Sequence, residues 1–179
     1  MMRTRLIGLA TGLLLTAMAG PALAGEAACI WNKLPKEKRE QVRAAIARDF
    51  DEGRKFNPYT QGELNAAFEA CSRADPDALA AAGPALGGYE LMDGSAQWLE
   101  QKMGFNAARL DRAWLEGPGK DPSTPARVFG AERPAAGPLG EAIESMGKAL
   151  GVPSEGRAGD YVAGYVIGRL LVEYYEPRF

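Results

Sequence analysis

Residues 160–175 read DYVAGYVIGRLLVEYY, and past Asp160 their only charged side chains are Arg169 and Glu173. At the helical repeat these two fall, with Glu176, in one narrow stripe, and the remaining surface is apolar, aromatic or glycine. A helix that is apolar on nearly every side has to be covered from several directions. The pattern therefore predicts a buried C-terminal helix at the centre of an all-α domain. Gly164 and Gly168 share the face opposite the stripe with Leu171 and Tyr175. Each glycine weakens the helix by about 1 kcal/mol relative to alanine, and in exchange a second helix can come close.

Working outward, the segments before this helix carry start signals, stop signals and one-sided apolar spacing. Pro35 suits a first helical position, Val42, Ile46 and Phe50 recur on one face, and Gly53 reads as a terminator. Thr60 and Glu63 form a capping box with Tyr59 and Leu64 as its staple, and Leu64, Ala67, Phe68 and Cys71 follow along one buried face. Asp75-Pro76 opens a short helix that Gly83 and Pro84 should end; a separate helix is expected from Ser95 as cap to Met103, with Trp98 and Leu99 inward. Asn106 caps the next helix, to Glu116. Residues 117–138 hold five prolines with interleaved glycines and are expected to be a long loop with at most one helical turn near Ala126–Phe129. Leu139 to Leu150 is amphipathic and ends at Gly151 and Pro153, after which Asp160 is the expected N-cap of the last helix. With no alternating strand pattern and no repeat, the expectation is a single irregular bundle of about six or seven helices.

The amino terminus has the three parts of a secretory signal: Arg3 and Arg5, an apolar run over 6–18, and Ala22-Leu23-Ala24 before Gly25. The expected outcome is cleavage after Ala24, leaving residues 25–179 as one domain with no membrane span, in the periplasm or outside the cell. The apolar run is shorter than the roughly 20 residues that a spanning helix needs. Cleavage would remove Arg3 and Arg5 and no acid, taking the formal charge from −2 to −4. A mildly acidic chain without a basic block is a poor candidate for binding nucleic acid or anionic membrane, and neither is expected as a partner. Cys29 and Cys71 are the only cysteines, and in an oxidising compartment they should pair.

Histidine is absent, which removes Ser-His-Asp and Cys-His catalysis and histidine-based zinc sites together. Two cysteines cannot build a structural zinc site, a phosphate-binding glycine loop is missing, and no cofactor or metal is expected. Asp49, Asp51 and Gly53 begin like a calcium loop, but Gly53 falls at loop position five instead of six and Thr60 stands at twelve, where a bidentate glutamate is required.

The candidate ligand site is the tyrosine-rich last helix. Tyr161, Tyr165, Arg169 and Glu173 are its candidate residues, with Tyr174 and Tyr175 nearby, and a tyrosine-lined groove with one arginine suits a small anionic or aromatic ligand. Three functions stay open. The chain is an exported, disulfide-stapled helical protein that binds a protein or envelope component without catalysis, or a small-molecule carrier built on the tyrosines and Arg169, or a carboxylate hydrolase of envelope glycans. A wide apolar pocket beside the last helix would favour the carrier, and an exposed apolar patch would favour the protein-binding role.

Overall fold

The computed structural model describes residues 26–71 and 76–178; the signal segment 1–24 and the cap at Asp75 lie outside the described residues. Among the described residues there is no strand. Nine α-helices follow one another: α1 (Glu26–Lys33), α2 (Lys36–Arg48), α3 (Phe50–Gly53), α4 (Gln61–Cys71), α5 (Pro76–Met103), α6 (Ala107–Glu116), α7 (Thr124–Phe129), α8 (Ala136–Leu150) and α9 (Gly156–Tyr175). The fold is all-α, and α9 is its centre: Tyr161, Val162, Val166 and Leu170 are fully enclosed, while α5, α7 and α8 pack around them.

The two longest helices, α5 and α9, run antiparallel and are in contact from Gly88 to Trp98 of α5. Gly88 lies against Gly168, Ser95 against Gly164, and the Trp98 ring stacks on Tyr161 with centroids 4.3 Å apart. The approach is closest at the glycines. A Cβ on Gly168 would stand 2.5 Å from the Gly88 carbonyl oxygen and 2.6 Å from the Met92 amide nitrogen, and one on Gly88 would stand 2.7 Å from the Gly168 carbonyl oxygen. Backbone meets backbone here, which only glycine permits.

One sequence expectation fails on this helix pair. Gly83 and Pro84 do not end a helix, and Ser95 does not cap a new one: residues 76–103 form a single helix. A proline inside a helix costs about 3 kcal/mol, but α5 packs on α9 from Gly88 to Trp98, and this tertiary contact outweighs the local penalty. Gly83 also removes the Cβ that would otherwise clash with the ring of the following proline. Gly94 is another close approach and not a break, since a Cβ there would stand 2.6 Å from Cβ of Ile46 on α2. Nothing in the structure explains Gly87. Ser95 is fully buried within α5, against Gly164.

The smaller helices are placed by their caps. Thr60 and Glu63 bond reciprocally, Thr60 N–H to Glu63 Oε2 at 2.8 Å and Glu63 N–H to Thr60 Oγ1 at 3.3 Å. Asn106 accepts from the Arg109 N–H at 3.0 Å, and Gly104 and Gly151 close α5 and α8 in the left-handed region, at φ 69° and 73°. Asp49 caps α3, accepting from the N–H groups of Asp51 and Glu52, so α2 stops at Arg48 and Pro35 stands just before its first turn. Gly53 is the last residue of α3 and touches the Ile46 backbone. α9 begins at Gly156, four residues before the expected cap, and Asp160 is an exposed residue inside it. The missing side chain of Gly159 lets the first turn fold back against the Ser154 carbonyl, where a Cβ would be 2.4 Å away. Residues 117–138 are also more structured than expected. They hold a tight turn at Pro118–Lys120, the six-residue α7 and the start of α8, with Val128 fully buried and Phe129 against Tyr174 and Tyr175.

Cys29 and Cys71 are joined, with Cα atoms 5.8 Å apart, and tie α1 to α4. No helix among the described residues is long and apolar enough to cross a membrane.

Glu90 is a titratable group that this packing encloses. It lies on α5 in a hollow with Ile46, Arg54, Lys55, Gly87 and Leu91, and burial pushes its carboxyl up to about 7. Because the folded state holds the proton more tightly than the unfolded one, this group's contribution is fully favourable below the unfolded value of 4.5 and is lost as pH rises through about 7. Glu90→Gln should therefore stabilise the protein above pH 7, by on the order of 1–2 kcal/mol once nearby solvent is allowed for, and change little near pH 4. Urea midpoints of both proteins at the two pH values test this, and equal midpoints at pH 8 would refute it.

Candidate functional site

A groove of about 430 Å3 opens between α5, α6 and α9. Each helix gives it one stripe at helical spacing: Tyr89, Met92, Asp93 and Ala96 from α5, Ala107, Leu110 and Asp111 from α6, and Tyr165, Arg169, Val172 and Glu173 from α9. Leu110, Tyr165 and Val172 are buried at its floor. Ala107, Asp111 and Glu173 stand exposed at its rim. After the left-handed turn at Gly104, α6 packs more closely on α8 than on α5, which leaves this space between α5 and α6.

Arg169 crosses from α9 to α6. Its Nη1 donates to Asp111 Oδ1 at 2.6 Å and to the Tyr165 hydroxyl at 3.0 Å, its Nε donates to Glu173 Oε1 at 3.2 Å, and the guanidinium lies 4.9 Å from the centre of the Trp114 ring. Burial alone would lower its pKa, but the bonds to Asp111, Tyr165 and Glu173 prevail and raise it. With its side chain only 22% exposed, Arg169 is drawn inward and does not stand in solvent as a charged stripe would. The sequence could not reveal this, because the partner that draws it inward lies 58 positions away.

Of the four candidate residues, Tyr165, Arg169 and Glu173 meet in the groove. Tyr161 is elsewhere: it is fully buried, and its hydroxyl donates to the Ile46 and Ala47 carbonyls at 2.8 and 3.2 Å. Those carbonyls belong to the last turn of α2, where helical partners run out. Arg157, one turn earlier on α9, donates to the Arg48 carbonyl at 2.7 Å and completes the same cap. Tyr174 and Tyr175 pack with Phe129 of α7, so the tyrosines do not form one cluster.

The α5 wall was not visible in the sequence. Tyr89 donates to Glu176 Oε1 at 2.9 Å, and burial followed by that acceptor holds its phenol well above the ordinary range. Burial likewise raises the Tyr165 phenol, against the lowering effect of Arg169. Asp93 takes part in no direct ion pair among the described residues. Burial raises its carboxyl, while Arg43, the Trp31 indole and Arg39 pull it back.

The chain matches no protein-family model, no curated protein and no solved structure. Among the described residues, no group of three or more His, Cys, Asp or Glu side chains is placed to hold a metal ion.

Proposed function

We propose that the chain is an exported, disulfide-stapled protein that binds a small molecule in the α5–α6–α9 groove without transforming it. The observation that carries this reading is the groove itself: a concave site beside the last helix with a buried floor of Leu110, Tyr165 and Val172, apolar walls of Met92 and Ala96, and a few convergent polar groups. The Cys29–Cys71 bridge supports the exported compartment. Binding of a protein or envelope component has less support, because the exposed large hydrophobics among the described residues, Phe56, Met103 and Leu115, lie on three separate segments. A glycan hydrolase would set a protonated carboxyl against a free carboxylate, whereas Asp111 and Glu173 are both engaged by Arg169.

The test uses N-phenylnaphthylamine, an uncharged apolar dye whose fluorescence rises on leaving water. The wild type should bind it saturably at one site. Ala107→Trp puts a large ring at the exposed rim of the groove, and it should weaken dye binding at least about tenfold while leaving the melting temperature within a few degrees. Saturable binding that survives Ala107→Trp unchanged, or no saturable binding at all, would overturn the proposal.

A further inference from the structure

We infer that the groove takes an organic cation, an ammonium or guanidinium group on an aromatic or aliphatic body, and not the anion that a lone arginine suggests; this rests on the binding function proposed above. The argument is one of charge and commitment. Four charged side chains line the groove: Asp93, Asp111 and Glu173 against Arg169. Arg169 is already bonded to two of the acids and stacked on Trp114, so an incoming carboxylate or phosphate would have to displace Asp111 or Glu173 and would meet a surplus of negative charge. Asp93 is different. It is the groove's one carboxylate without a direct ion pair among the described residues, half-buried in the α5 wall, with Arg43 and Arg39 near it but not lining the groove. A half-buried carboxylate that opens onto an apolar space gains most from a partner that brings its own positive charge and donors. Tyr89 and Tyr165 line the same space, and tyrosine rings favour cations through the electrostatics of their faces. The floor of Leu110 and Val172 suits the ligand's apolar body.

Three probes of one shape separate charge from shape: naphthylmethylamine, naphthylmethanol and naphthoate, each competed against N-phenylnaphthylamine at pH 7.5. The amine should displace the dye at concentrations about tenfold below those of the alcohol, with naphthoate weakest, as expected for one charge-assisted bond in a half-buried site. Asp93→Asn should remove the amine's advantage over the alcohol, and its melting curve reports whether the variant is folded; the comparison within the wild type stands even if it is not. If the alcohol matches the amine, or naphthoate leads, the groove still binds ligands and the cation inference falls alone. If the dye is not bound at the groove, both fall together.

Discussion

Reducing the Cys29–Cys71 bond should lower stability by about 4 kcal/mol, the loop-closure entropy that the chain-entropy model assigns to half-cystines 42 positions apart. This is the largest single effect that we expect, and it is a large share of the roughly 5–15 kcal/mol that a domain of this kind holds in total. It is large because the bond closes a long loop in the unfolded chain. In the folded state the neighbours of α1 are α4, α5 and the turn after α9, and besides the bridge it is held by Ala27, Ile30 and Trp31 in the core and by the Ala28 N–H bond to Glu176. The measurement is a pair of urea titrations with and without reductant, supported by a thiol count under denaturing, non-reducing conditions that should be near zero. An unchanged midpoint, or two titratable thiols, would refute it.

Gly168→Leu should be the most damaging single substitution on α9. Leucine favours a helix by nearly 1 kcal/mol over glycine, so on an open face this change would stabilise. Here the first added carbon alone would sit 2.5 Å from the Gly88 carbonyl oxygen and 2.6 Å from the Met92 nitrogen, both backbone atoms of the longest helix. Neither can swing aside as a flexible side chain would, so α5 and α9 have to part. Overpacking typically costs about 1–3 kcal/mol and occasionally more, and we expect the upper end, about 3 kcal/mol, with a fall of about 2–4 °C in melting temperature for each. Gly87→Ala on the same helix is the control, since a Cβ there meets nothing within 4 Å and no proline follows it. It should be close to neutral or slightly stabilising. A rise in melting temperature for Gly168→Leu would mean that the two helices do not meet there.

These two cases also show what a sequence can reveal. Cysteine pairing, the Thr60–Glu63 box, the Asn106 cap and the apolar surround of residues 160–175 are local or compositional signals, and each of them has its counterpart in the structure. Tyr165, Arg169 and Glu173 were legible as site candidates because they share a face of one helix. The opposite wall was not. Gly83, Pro84, Gly87, Gly88 and Gly94 lower the helix propensity of residues 76–103 so far that the segment reads as two short helices and a linker, and the stripe of Tyr89, Met92, Asp93 and Ala96 disappears in the gap. Propensity measures a helix alone in water, whereas Gly88 and Gly94 are there for what lies against them. Tyr161 fails for the opposite reason. A tyrosine on a buried helix looks the same whether its hydroxyl meets a ligand or the frayed carbonyls of another helix, and only the position of α2 decides.

The Glu176 carboxylate has a bearing on the order in which the molecule assembles. One oxygen, Oε1, accepts from the Tyr89 hydroxyl and from the Ala28 N–H, 148 positions away in the chain. α5, α7 and α8 all rest on α9, which follows every one of them in the sequence. A ribosome therefore releases α1 to α8 before the surface that they are to cover exists. Contacts of such long range make folding slower than in bundles of neighbouring helices, because the intervening chain has to be confined before they form. Until α9 is added, α5, α7 and α8 lack the helix on which all three rest.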